Sequence, residues 1–197
     1  MKVTTPRIIA VAILAGGLGL AASLWFDGNP MWRTQVGERA LHAATNATAP
    51  TPPAGVTPAA IGDPMPAVAL PGLDGAVVDL RTRYAGKRLL INVWASWCGP
   101  CIEEMPELDR FAASQGDDGV QVLGLALDTP EGVRDFTAKV PVRYPIVLDT
   151  PGPADASVWL GNAKGVLPYT VLVDADGRIA RQKIGPFTHG EISGWVD

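Results

Sequence analysis

Cysteine is almost missing from this chain of 197 residues, which has two, Cys98 and Cys101. That count excludes a disulfide-stapled mini-scaffold and any zinc site built from four cysteines. Histidine is equally scarce, with only His42 and His189, so a metal centre would find few nitrogen ligands. Charge is thin as well. Asp, Glu, Lys and Arg make up 18% of the chain, against about 25% in an ordinary globular domain. Basic residues are outnumbered, 16 against 20, for a net charge of −4. Nothing in that balance points to nucleic acid as a partner. The chain instead has 47% hydrophobic residues, 22 Gly and 18 Pro, so part of it is not an ordinary globular core.

The first such part is near the start. Ile8 to Phe26 is uncharged and mostly apolar, and as a helix would span roughly 28 Å, close to the thickness of a bilayer core. Lys2 and Arg7 precede it and Asp27 follows, a charge order that leaves the rest of the chain outside. The segment reads as a single N-terminal transmembrane helix, or else as a cleaved signal peptide. No cysteine follows it to carry a lipid. Either reading exports the remainder, in a bacterium to the periplasm, where disulfides persist. Residues 27–60 have neither helical nor strand periodicity, and from Ala40 to Ala60 they are mostly Ala, Thr and Pro. They read as an extended linker that buries too little to offset the entropy of ordering, with His42 in it and exposed to solvent.

The folded domain is expected over 61–197. Val68–Leu70 and Val77–Leu80, either side of Pro71-Gly72-Leu73-Asp74-Gly75, predict a β-hairpin. Leu89–Trp94 is nearly all apolar, as a central strand covered on both faces would be. A helix is expected from Gly99 to Ala113, with Ile102, Met105, Leu108, Phe111 and Ala112 at helical spacing and a kink at Pro106. Then follow a strand over Val120–Leu127, a helix over Glu131–Lys139, a strand over Tyr144–Leu148 and a helix over Ala154–Leu160. A hairpin of Thr170–Val173 and Arg178–Ile184 turns at Asp176-Gly177. From Thr188 to Asp197 a helix begins and stops early. Strands alternating with helices imply α/β architecture with a parallel centre and an antiparallel edge.

The two cysteines sit where the apolar strand gives way to the long helix, in Trp94-Ala95-Ser96-Trp97-Cys98-Gly99-Pro100-Cys101. That places Cys98 at the first helical turn. Unpaired backbone N–H groups and the positive end of the helix dipole favour its thiolate there and lower its pKa from about 8.5. Cys98 is therefore the exposed attacker. Cys101, one turn on and more buried, can close a ring with it and release a bound partner. Gly99 permits close approach, and Pro100 is tolerated in a first turn. Zinc binding, an inert structural disulfide, and a fold that has lost its activity are the competing readings of the pair.

The run from Asn92 through Cys98 and Cys101 to Leu108, with Ile61-Gly62-Asp63-Pro64-Met65-Pro66 upstream, resembles the membrane-anchored TlpA/ResA-type branch of the thioredoxin-like proteins, over about residues 61–190. The resemblance implies a thioredoxin-like fold with an N-terminal hairpin and a central insertion. It implies an exported thiol:disulfide oxidoreductase with no cofactor and no metal. It also implies that Pro168, in Leu167-Pro168-Tyr169-Thr170, has a cis peptide bond and faces the cysteines, leaving the Leu167 backbone to pair with an extended substrate. Glu104, three residues beyond the second cysteine, matches a glutamate that exchanges a proton with the resolving thiol. Trp97, with Gly99, Pro100 and Leu167, would form the surface that meets substrate. Glu103 and Glu107 read as solvated helix faces, and Trp94, Trp159 and Trp195 as packing residues. Asn92 stands where thioredoxin has a buried aspartate, which leaves more of the proton handling to Glu104.

Gly-Pro between the cysteines resembles reducing thioredoxins, so the expected direction is reduction of exported proteins, with apo-cytochrome c or a copper chaperone among them. A reductant outside the cytoplasm needs electrons from a membrane thiol donor. The alternatives are a thiol peroxidase of the same fold and a copper- or haem-protein assembly module without enzymatic turnover.

Overall fold

In a computed structural model the described residues are 51–197 together with Gly37, Ala40, Ala43, Ala44, Ala47 and Ala49. The chain divides into two units, 1–41 and 42–197. The apolar run 8–26 and His42 lie outside the described residues. Among the described residues no helix is long and apolar enough to cross a membrane. Gly37 and Ala40 of the first unit, and Ala43, Ala44 and Ala47 of the second, have helical rather than extended backbone, for the four alanines in keeping with their high helix propensity.

Leu89–Trp94 (β3) is fully buried because helices cover both of its faces. It pairs in parallel with Gln121–Leu127 (β4) and antiparallel with Tyr169–Val173 (β6). Ile146–Asp149 (β5) extends the sheet beyond β4 and Ile179–Ile184 (β7) beyond β6, giving the order β5-β4-β3-β6-β7. A separate hairpin of Ala69–Pro71 (β1) and Val77–Asp79 (β2) touches the β5 edge through a bridge between Gly72 and Val147. The segment 59–65 runs along β7, with Gly62 N–H donating to Ile179 O and Met65 N–H to Gly177 O. Both edges of the sheet are thus covered rather than left as templates for another chain.

Pleating splits β3 between two cores. Leu90 and Trp94 face Gly99–Ser114 (α2), Pro130–Thr137 (α3) and Glu191–Val196 (α5), while Leu89, Ile91 and Val93 face Leu80–Arg83 (α1) and Ala156–Trp159 (α4). Several boundaries differ from expectation. Leu80 opens α1 instead of ending a strand, because Asp79 caps it by accepting from Thr82 N–H at 2.9 Å. Helix α3 starts earlier and ends sooner, capped by Thr129. Strand β5 starts two residues later than expected, and α5 begins at Glu191, whose carboxylate accepts from Thr188. The domain also begins before Ile61: Ala59 is buried and its carbonyl accepts from Gln182 Nε2 at 2.8 Å.

Candidate active site

Strand β3 delivers the chain to α2, which runs unbroken from Gly99 to Ser114 with Pro106 on its exposed side. Cys98 is the N-cap residue, in extended conformation, and its Sγ accepts from Cys101 N–H at 3.3 Å. The helix terminus therefore aims a backbone donor at this sulfur, the arrangement that stabilises a thiolate once the pair is reduced. Cys98 and Cys101 are joined as a disulfide across a Cα–Cα distance of 5.3 Å. Their burial is unequal in the order expected, but Cys98 is far less open than an exposed attacker: it retains 6% of its surface and Cys101 none. The closed ring folds Cys98 onto the core that also holds Cys101 and Met105. Trp97, by contrast, is 69% exposed immediately beside it, and Gly99 and Pro100 are exposed too.

The turn that presents Trp97 and Cys98 is held at both ends. Cys98 N–H donates to Ala95 O at 3.1 Å. Asp128, just past the end of β4, accepts from Ser96 N–H at 2.9 Å, from Ser96 Oγ at 2.6 Å and from Thr129 N–H at 2.7 Å. Burial pushes its pKa up, but the hydrogen bonds from Ser96 and Thr129 outweigh that and leave it below the ordinary value. Asp128 was not among the residues singled out from sequence. The only available signal was an acidic residue ending an apolar strand.

The Leu167–Pro168 peptide bond is cis. Pro168 is buried and its carbonyl accepts from Gly185 N–H, while half-buried Leu167 packs against the core containing both cysteines. Val166 is fixed by Asn162 in both directions, N–H to Oδ1 and Nδ2 to O, each at 3.0 Å. Among the described residues the Leu167 backbone makes no hydrogen bond of this kind.

Glu104 lies one turn beyond Cys101 on α2, buried in a position where helical spacing would put an apolar residue. Its Oε1 accepts from Asn92 Nδ2 and its Oε2 from Phe187 N–H, both at 2.8 Å. Asn92 also donates to Thr170 Oγ1 at 3.1 Å. Burial raises the Glu104 pKa to about 7, against the opposing pull of those hydrogen bonds and of Lys183. A carboxyl group with that pKa exchanges protons readily near neutrality. Glu107 departs from the solvated reading: it accepts from Gly190 N–H at 2.8 Å, pairs with Arg110, and lies 3.1 Å from His189 Nδ1, tying α2 to the start of α5. Glu103 is exposed. Trp94 is fully buried and Trp195 packs edge-on against Phe187 at 5.2 Å, whereas Trp159 is half-buried.

Comparison with known proteins agrees with this geometry. The Redoxin family profile matches residues 60–195. The thiol-disulfide oxidoreductase ResA of Geobacillus thermodenitrificans is 32% identical over 137 residues, covering 69% of this chain and 76% of the relative. ResA of Bacillus cereus is 28% identical over 138 residues with the same coverage of both chains. Among solved structures, a thioredoxin-related protein from Neisseria meningitidis serogroup B superposes with a TM-score of 0.58 at 31% identity, covering 64% of this chain and 95% of that one. A cysteine pair at a helix N-terminus, a cis-proline loop and a five-stranded mixed sheet, matched over these lengths, place the chain in the Redoxin family as a thioredoxin-like thiol:disulfide oxidoreductase of the TlpA/ResA type.

Proposed function

We propose that the chain reduces disulfides of exported proteins, with Cys98 attacking and Cys101 resolving. The observation that carries this reading is the unequal pair: Cys98 keeps a small accessible edge at the helix terminus and Cys101 has none. In the reduced protein the Cys98 thiolate attacks one sulfur of a substrate disulfide and the other leaves as a thiolate. Cys101 then passes its proton to Glu104 and attacks the Cys98 sulfur, displacing the second substrate thiolate. Two electrons move from the protein dithiol to the substrate, and the protein is left with the Cys98–Cys101 disulfide. Trp97 and the Leu167 backbone beside Pro168 hold an extended substrate segment across the cysteines.

The uncharged run Ile8–Phe26 after Lys2 and Arg7 supports tethering in a bacterial inner membrane with the domain in the periplasm. The two cysteines are already used in the exchange, so each turnover needs electrons from a membrane thiol donor. Apo-cytochrome c and copper-chaperone disulfides are the substrates this placement favours. Insulin reduction by the full-length chain tests the reaction. Turnover abolished by Cys98→Ser supports it. Peroxide consumption without insulin turnover would overturn it in favour of a thiol peroxidase.

A further inference from the structure

The loop that carries Leu167 and Pro168 leaves the end of α4 through Gly161 and Asn162. Asn162 is 3% exposed, and each of its polar groups is hydrogen-bonded. Its N–H donates to Ser157 O at 2.8 Å, and its carbonyl accepts from Gly165 N–H at 3.0 Å, which closes a turn over Ala163 and Lys164. Gly165 has φ +62°, and there the chain turns back alongside the Asn162 side chain. That side chain pairs with Val166 much as a neighbouring strand would. Oδ1 accepts from Val166 N–H and Nδ2 donates to Val166 O, each at 3.0 Å. The second Nδ2 hydrogen points to Ser157 Oγ at 3.3 Å. Ser157 gives its hydroxyl proton to Asp155 Oδ1 at 2.7 Å, so towards Asn162 it can only accept. The amide is thereby fixed in one orientation, and Val166 is held at both of its backbone groups. The chain is anchored again just beyond, where Pro168 O accepts from Gly185 N–H at 2.9 Å. Leu167 lies between these two anchors, with its side chain packed on the core that contains both cysteines.

We propose that Asn162 is a positioning residue that makes the site selective for polypeptide disulfides over small ones, acting through Val166 on the backbone of Leu167. The inference rests on the reading that Leu167 pairs with an extended substrate segment. Such pairing needs the loop in one conformation. A loop free to move would have to be ordered as the substrate binds, and the entropy lost would be taken from the affinity. The two bonds from Asn162 order Val166 in advance, so that a polypeptide meets a Leu167 backbone already aimed. A small disulfide reaches Cys98 without pairing to the loop, and its reaction is indifferent to Asn162. The residue touches neither substrate nor sulfur. Its effect is on the binding of one class of substrate and not on the exchange itself.

Pre-reduced full-length chain, wild type or Asn162→Ala, is mixed with excess insulin or with dithiodipyridine and a single turnover is followed. The variant should need about tenfold more insulin for half-saturation. Its limiting rate with insulin, and its rate with dithiodipyridine, should stay within about twofold of wild type. A role confined to stability would slow both substrates alike or neither, and either result would overturn the proposal. Amide hydrogen exchange in the oxidised wild type tests the clamp without a variant and without turnover. The Val166 N–H should exchange at least about tenfold more slowly than the Leu167 N–H; equal rates would contradict the clamp. A wild type that does not react with insulin overturns the substrate reading, and this inference with it. Insulin turnover with an unmoved half-saturation in Asn162→Ala overturns the role of Asn162 alone.

Discussion

Replacing Glu104 by glutamine should remove a large part of the dependence of stability on pH between mild acid and mild alkali. The carboxyl group is buried, and its pKa rises from 4.5 to about 7 chiefly because burial disfavours the charge. Above pH 4.5 the unfolded chain has lost this proton while the native state keeps it until about pH 7. The native state therefore binds more protons across that window, and stability falls as pH rises. The protonated form supplies stability that is fully present below the unfolded pKa and is gone above the folded one. Between pH 5 and pH 8 the loss amounts to about 2–3 kcal/mol. Glutamine cannot ionise, so Glu104→Gln should show none of it. It should also start out less stable, because its amide nitrogen would face one of two donors, Asn92 Nδ2 or the Phe187 N–H. Urea unfolding of the oxidised full-length chain at pH 5 and pH 8 measures both effects. The gap between wild type and variant should narrow by about 2–3 kcal/mol as pH rises. A gap that stays constant would refute the reasoning that burial dominates at Glu104.

Three further substitutions probe the turn that presents Cys98, the tight packing at Gly161 and the exposed Trp97. Asp128→Ala removes the acceptor of both Ser96 donors and of Thr129 N–H; it should cost about 1–2 kcal/mol and alter Trp97 fluorescence, since Ser96 leads directly into Trp97. The Asp128 pKa is lowered in the native state, so whatever its charge contributes is present near neutrality and lost as pH falls into the acid range, a trend that acid titration of the variant should lack. Gly161→Ala should destabilise by at least about 3 kcal/mol, because φ there is +107° and a Cβ would lie 2.2 Å from Gln182 Nε2 and 2.5 Å from Ala59 O; a melting temperature close to wild type would count against the tight contact. Trp97→Ala should leave stability within about 0.5 kcal/mol, as its side chain is 69% exposed, yet slow turnover with protein disulfides more than with a small disulfide.

Much of the site was legible because it depends on local sequence. The apolar run 89–94 followed by Cys-Gly-Pro-Cys at a helix start fixes strand, cap and cysteine pair within a dozen residues. Pro168 and Glu104 were reached through resemblance, since nothing in periodicity marks a cis bond or a buried acid. What was not legible depends on contacts distant in the chain. Asp128 bonds Ser96 across 32 residues, Glu107 caps Gly190 across 83, and Ala59 meets Gln182 across 123. The burial of Ala59 and the partial covering of Glu107 follow from what the tertiary fold lays over them. The short helix α1 was missed for a different reason: Val77-Val78-Asp79-Leu80 is rich in β-branched and apolar residues like a strand, and the capping aspartate decides against it.

The central claim is the division of labour between the two cysteines. It is tested most directly by intact-mass analysis of reduced Cys101→Ser and Cys98→Ser chains exposed to a protein disulfide. The account predicts a stable mixed disulfide through Cys98 in the Cys101→Ser variant and little adduct in the other, because Cys101 has no exposed surface. Equal trapping by both variants, or faster trapping through Cys101, would contradict it.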